Sequence, residues 1–262
     1  MAVTAEGTRL TAEYRRAQGR DSVRLVRDVL VLWRLLDPVR LNPTMPSWAS
    51  RVLDLIGRHR SKSERLALDY LGAFRRAETG AAFDLPPMKN LEAGWRDAAE
   101  VSLSVTGPST VKRLSAAGLD PQQAADRAAP AVAAAAMRHA AGGGRDAIDA
   151  AILADRLALG YQRITVEKAC ACCALLASRG PVYKSPVSGS RTLRDGKPEP
   201  SYDGCGCVVE VVYDADTALP AASAKFAALW ETSNEGLSGR EARNAFRRAH
   251  EVNIRNSDGR QT

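Results

Sequence analysis

Along most of the chain, apolar residues recur at intervals of three and four. Between Asp21 and Leu36, Val23, Val26, Val29, Leu30, Trp33 and Leu36 point one way, with Arg24, Arg27, Asp28 and Arg34 opposite, which is the periodicity of an amphipathic helix. Glu6 to about Arg20 reads as a separate helix before it. Asp37-Pro38 closes the second helix, because the residue before a proline is pushed out of the helical region. Pro43 and Pro46 then predict a turn, with Ser47 capping a long helix. That helix buries Trp48, Val52, Leu55, Ile56, Leu66, Leu68, Tyr70, Leu71 and Phe74 and turns Arg51, Arg58, Arg60, Lys62, Arg65, Arg75 and Arg76 away from them. These seven cations read first as a solvated face. A nucleic-acid or partner face is the sharper alternative.

Further on, Pro86-Pro87 marks a connection, Leu91 to Leu103 predicts a helix, and Thr106-Gly107-Pro108 predicts a break. From Ala124 to Ala141 the chain is rich in alanine, a strong helix former. This helix is expected to stop at Gly142-Gly143-Gly144, with one more from Arg145 to Leu159. The three glycines lack the strand and spacing of a nucleotide-binding loop. After Gly160 the composition changes, and Gly180 to Tyr183 and Cys205 to Tyr213 read as short strands. Ser185 to Ser201, rich in serine, glycine and proline, reads as the loop between them. Helices return at Ala221 to Trp230 and Ser238 to Val252. The expected fold is mainly α with a small α+β C-terminal domain. A helical bundle at 1–160 precedes a cysteine-knuckle domain at 161–219 and a polar helical tail at 220–262.

The chain has 262 residues, 45% of them hydrophobic and 26% charged, an ordinary globular composition. Its longest strongly apolar run, Val29 to Trp33, is far short of the ~20 residues of a membrane span. The N-terminus shows no secretory pattern, so a host-cytoplasmic protein is expected. The formal charge of +7 lies mostly in the first third: 15 Lys/Arg against 9 Asp/Glu up to Gly80. A mild basic excess points to an acidic partner without identifying one.

All five cysteines fall between 170 and 207. Cys170 and Cys173 form a CxxC at a helix start, and Cys205 and Cys207 a CxC at a strand start. Each pair shares a face, so four sulfurs could surround one tetrahedral zinc ion. Reduced buried thiols and a disulfide are the alternatives, and Cys172 reads as core. Among catalytic arrangements, Ser178, His139 and Asp146 can be written down as a triad, and Cys172 as a nucleophile, but no GxSxG elbow or neighbouring histidine supports either.

The segments CACCALLASRGPVYKS (Cys170 to Ser185) and YDGCGCVVEVVY (Tyr202 to Tyr213) resemble the MuF-type minor head proteins of tailed phages, especially those of actinobacterial phages and prophages. SVTGPSTVKRL (Ser104 to Leu114), MRHAAGGGRDAI (Met137 to Ile148) and LWRLLDP (Leu32 to Pro38) extend the resemblance, which covers about Val23 to Tyr213. It implies a MuF-like domain around the cysteines and a protein carried inside the head or at the portal vertex. Portal protein, major capsid or scaffolding protein, and phage DNA are the implied partners, and an oligomer fits that setting. The family has histidines just before its CxC. Here Tyr202-Asp203-Gly204 stand there, leaving any metal to the cysteines. Such proteins are also often labelled capsid maturation proteases, which makes Ser178, His139 and Cys172 the residues to inspect, although no protease motif is present.

Overall fold

A computed structural model describes residues 2–82, 94–184, 191–192, 198–199 and 203–258. Helix α1 runs unbroken over Ala5–Trp33, so the two helices expected on either side of Arg20 are one. Thr4 caps it by accepting the Gly7 N–H at 2.9 Å, satisfying one of the first-turn donors that lack an intrahelical partner. Helix α2 spans Leu41–Thr79 and ends on Gly80 at φ +71°. Pro43 and Pro46, expected in a turn before Ser47, lie inside its first two turns. Pro43, in the first turn, gives up no intrahelical hydrogen bond, because those N–H groups have no partner there, whereas Pro46 forgoes one.

Helix α3 (Trp95–Ser104) and helix α4 (Thr110–Ala116) are joined by a π-helical turn at Val105–Ser109, where a break was expected. The wider turn accommodates Pro108, which has no N–H to give. It also brings Gly107 against Trp33 and Val132, where an added Cβ would lie 3.1–3.2 Å from their side chains.

Helix α5, Pro121–Ala154, is capped by Asp120 and passes straight through Gly142-Gly143-Gly144. The predicted stop is thus the middle of a helix. The reason is tertiary: α5 crosses α2 here, and a Cβ on Gly143 would run into the Arg60 carbonyl oxygen. On Gly144 it would stand 2.7 Å from Ser63 Oγ and 2.8 Å from Ser63 O. Glycine lets the two backbones touch, and that contact outweighs its low helix propensity.

Around this crossing, α1, α2 and α5 pack with α3 and α4 over a core that includes Leu25, Val29, Trp48, Ile56, Leu103 and Val132. Trp33 meets Trp48 edge to face at 5.2 Å, a preferred aromatic geometry. The remaining elements are β1 (Gly160–Ile164), α6 (Ala171–Ser178), β2 (Arg191–Thr192), β3 (Pro198–Glu199), β4 (Val208–Val212), α7 (Ala221–Ser233) and α8 (Gly239–Asp258). Strands β1 and β4 pair antiparallel from Gly160↔Val212 to Ile164↔Val208, and β2 pairs with β3. Most of the loop predicted at Ser185 to Ser201, and Pro86-Pro87, lie outside the described residues. The strand predicted at Gly180 to Tyr183 is a single bridge from Tyr183 to Tyr161.

The β1/β4 sheet lies on the bundle, sharing a core of Tyr14, Tyr70, Phe74, Ile148, Tyr161 and Val209. At its centre Glu210 is buried. It accepts from Thr11 Oγ1 at 2.6 Å and from Gln162 Nε2 at 2.7 Å, so its desolvation is offset by bonds across the two layers. Burial pushes its pKa up. Helices α7 and α8 pack on α6 through Ala174, Ala177, Phe226 and Phe246.

The crossing gives a paired test. Gly143→Ala should lower stability by about 1–3 kcal/mol, an overpacking cost. Gly72→Ala, inside α2 with nothing within 4 Å of the new Cβ, should raise it by roughly 0.5–1 kcal/mol. Denaturant unfolding of both variants measures the contrast.

Candidate metal centre

Strand β1 and strand β4 bring the two halves of the cysteine constellation together. Cys205 and Cys207 sit in the segment leading into β4, three residues and one residue before the strand in which the sequence placed them. Cys173 is in the first turn of α6. Its Sγ lies 3.3 Å from Cys205 Sγ, and Cys205 Sγ lies 3.2 Å from Cys207 Sγ. All three sulfurs fall within 4.8 Å of one another and are buried. All five cysteines are free thiols, and these separations are well above the ~2.05 Å of an S–S bond.

Cys170 stands at the edge of the cluster. It is the N-cap of α6, exposed, and its sulfur accepts the Cys173 N–H at 3.4 Å. That sulfur is also the largest influence raising the Cys173 thiol pKa, ahead of Cys205 and Cys207. Four sulfurs are therefore linked, three of them buried together and the fourth at the mouth. Cys172, half-buried on α6, is not part of the buried group.

The electrostatics favour an anion at one sulfur of the three, since the Cys173 and Cys205 thiols are both pushed up and Cys207 is pushed down. Cys207 is pushed well below the usual thiol range, first by its hydrogen bonds with Cys173 and Cys205, then by Arg163 and Arg145 working against burial. Arg163, buried on β1, donates to Cys207 Sγ at 3.3 Å. Burial opposes its charge, and the Cys207 sulfur more than restores it. Arg145, one residue past the glycine crossing on α5, donates to Cys205 O at 2.8 Å and fixes the turn. His250 of α8 holds the other side through Ala169 O at 2.7 Å. A cavity of about 240 Å³, lined by Tyr14, Met137, Arg145, Ile148, Cys207 and Val209, lies beside the cluster. Close, soft, partly ionised sulfurs with two guanidinium groups beside them can hold a thiophilic metal ion.

The other sequence candidates are scattered. The Ser178 hydroxyl donates to Leu175 O at 2.8 Å in its own helix. His139 is buried against α3, with Nε2 2.9 Å from Ser102 Oγ. Asp146 is ion-paired with Arg60. Ser178, His139 and Asp146 thus each have a separate partner. Ser102, which the sequence reading passed over, also donates to Ala98 O at 2.9 Å and accepts from Arg138 Nη2 at 2.8 Å.

Two members of the basic stripe leave it. Arg60 is buried, paired with Asp146 and donating to His139 O at 3.2 Å. Arg75 is buried, with Asp155 at 2.8 Å and the Ala81 and Ala82 carbonyls as partners. Lys62 pairs with Asp21 at 2.5 Å. Arg51, Arg58, Arg65 and Arg76 remain exposed.

With this geometry in place, the comparison with known families is decisive on one point. A family profile described as VG15 protein matches residues 7–233. The chain belongs to the VG15 protein family. VG15 is a family of phage proteins, and the match runs from α1 through α7, taking in the bundle, the sheet and all five cysteines. Helix α8, which carries His250, lies beyond it. No curated protein and no solved structure matches the chain. Among the described residues, no helix is long and apolar enough to cross a membrane.

Two outcomes test this description. Titrating reduced protein with Co²⁺ should produce the sulfur-to-metal charge-transfer absorption of thiolate ligation. Cys173→Ser, Cys205→Ser and Cys207→Ser should abolish it, and Cys172→Ser should leave it intact.

His139 supplies the second. Burial, then Arg138 and Arg60, push its pKa from 6.5 down to about 4. The unfolded chain therefore takes up this proton first as the pH falls. The folded state keeps its full margin above about 6.5 and loses on the order of 1–3 kcal/mol from this residue by about pH 4. Denaturant unfolding between pH 7 and 4.5 should show that slope, and His139→Gln should flatten it.

Proposed function

We propose that this VG15 protein is a non-catalytic minor head protein of a tailed phage, acting at the portal vertex or head interior during capsid assembly or DNA packaging and entry. The family match over residues 7–233 carries the reading. The similarity of the cysteine segments to MuF-type proteins sharpens it from a phage protein to a head component. In this reading the helical body docks on portal, major capsid or scaffolding protein, and the thiol cluster holds the C-terminal part in shape.

Zinc is the ion that suits the cluster: thiolate sulfurs arranged for a compact, closed site favour a redox-inert tetrahedral metal. Cys173, Cys205 and Cys207 would hold it from within, with Cys170 closing the fourth position. Bound there, it would supply folding free energy by tying α6 to the β4 turn. Arg163 and Arg145 would balance the excess negative charge of the thiolates.

One surface favours docking on another protein. The C-terminal half of α1 and the turn after it expose Val31 (59%), Leu35 (48%) and Val39 (77%), with Leu30 beside them. Large apolar side chains grouped on one face of a bundle commonly mark an interface.

The test uses the phage that encodes the chain. Mass spectrometry of purified virions should find the protein in the particles, and it should co-purify with co-expressed portal protein. Leu30→Asp with Val31→Asp should abolish that association and leave the folded helix content unchanged. Absence from virions together with no binding to portal, capsid or scaffolding protein would overturn the reading.

A further inference from the structure

The exposed arginines of α2 fall on one line. Arg58, Arg65 and Arg76 follow Arg51 by 7, 14 and 25 residues, close to two, four and seven turns at 3.6 residues per turn. Helix α1 carries a second line, Arg16, Arg20, Arg24 and Arg27, at steps of four, four and three.

The two helices run antiparallel. Gln18 Nε2 donates to Ser63 O at 3.1 Å, Asp21 meets Lys62 at 2.5 Å, and Trp33 meets Trp48. Arg16, Arg20 and Arg24 therefore stand across the α1/α2 seam from Arg65 and Arg58. A groove of about 480 Å³ runs along the seam, lined on α1 by Glu13, Arg16 and Arg20 and on α2 by Leu66, Asp69 and Tyr70, and Arg24, Arg58 and Arg65 stand outside it. Helix α5 covers the opposite side of the seam through the glycine crossing, which leaves this side open.

Charge on this face is not cancelled locally. Among the described residues, Arg16, Arg20, Arg24, Arg51, Arg58, Arg65 and Arg76 make no ion pair. Of the nearby carboxylates, Glu13 is held by Arg9, Asp28 by Arg27, Asp21 by Lys62 and the exposed Asp54, on the α2 row itself, by Arg96, leaving Asp69 and Glu64. The α2 row from Arg51 to Arg65 covers about 21 Å at 1.5 Å per residue, on the order of six phosphates of one strand at 3.4 Å spacing.

The face also lacks what other partners need. Its aromatic rings, Tyr14 and Tyr70, are buried, so bases have no platform for the stacking that single strands use. Val23 is the large apolar side chain exposed among the arginines, too little for a protein anchor or for insertion into a lipid surface.

We propose that the α1/α2 seam binds the phosphate backbone of a nucleic-acid duplex, without sequence preference. This rests on the arrangement of the arginines alone and is independent of the head-protein reading. Unlike the seven-residue stripe read from the sequence, the surface excludes the buried Arg60 and Arg75 and the half-exposed Lys62, each paired with a carboxylate, and includes arginines of α1.

Fluorescence anisotropy with the full-length protein and a labelled DNA duplex of about 30 base pairs, at roughly 50–200 mM salt, provides the test. Affinity should fall steeply with salt. Replacing Arg16, Arg20, Arg58 and Arg65 together by Gln should weaken binding at least about tenfold and reduce the magnitude of the log–log salt slope by roughly three to four. Thermal unfolding should be unchanged, because the four side chains are exposed and unpaired. As a control, Arg240→Gln with Arg243→Gln on α8 should leave binding within about twofold of wild type.

Any of four results would overturn the proposal: no duplex binding at low salt, equal binding by the quadruple variant, an equal loss in the α8 control, or binding to phosphatidylserine vesicles without binding to duplex.

Discussion

The contact on which the rest depends is the crossing of α2 and α5 at Gly142-Gly143-Gly144. Backbone approaches backbone there, with Arg60 and Ser63 filling the space that side chains on α5 would otherwise need. Arg60 reaches past the crossing to Asp146, and Ser63 Oγ accepts the Gly144 N–H at 3.2 Å. The next residue, Arg145, is thereby aimed at the Cys205 carbonyl. Ile148, one turn on, joins the core beneath the sheet. A crossing that looks purely structural therefore sets the position of the β4 turn, and with it two of the clustered sulfurs.

Much of the helical architecture is legible in the sequence, because amphipathic period is a local property that tertiary packing reinforces. The misreadings share one cause. Glycine, proline and cation positions carry a local tendency that a distant contact overrides. The triple glycine reads as a stop until α2 is known to lie against it. Thr106-Gly107-Pro108 reads as a break until Trp33 and Val132 are seen to need a glycine opposite them. Arg60 and Arg75 read as solvated because their carboxylate partners, Asp146 and Asp155, are 86 and 80 residues away. Strand β1, GYQRI, gives little sign of itself: it is short, with few β-branched residues, and exists through pairing with β4.

The thiol cluster was more legible, since CxxC and CxC spacing constrain sulfurs whatever lies between them. What spacing could not supply is the inequality among the four. Cys173, Cys205 and Cys207 are buried together, whereas Cys170 sits at a helix cap facing solvent. Nor could it supply the guanidinium of Arg163, which comes from a strand the sequence did not announce. His250 is a similar case. It is far from the cysteines in sequence and is not a ligand, yet it buttresses the residue before Cys170 from a helix outside the family match. The polar tail is in this sense part of the site's scaffold.

The basic seam and the thiol cluster load different parts of the chain. The seam is built from residues of α1 and α2, whose geometry is set by the bundle core and the glycine crossing. The cluster is built from α6 and the β4 turn, which reach the bundle through Arg145 and the Glu210 network. Glu210 couples the two physically: Thr11, its partner on α1, precedes Arg16 by little more than one turn. The thiol cluster joins α6, which packs beneath α7 and α8, to the segment that enters β4. The α1/α2 seam packs through Trp33, Trp48 and Ile56, a core that contains none of the cysteines. The arginine rows are thus set by helix packing and the sulfurs by α6 and the segment before β4, with Glu210 joining the two layers through Thr11 and Gln162.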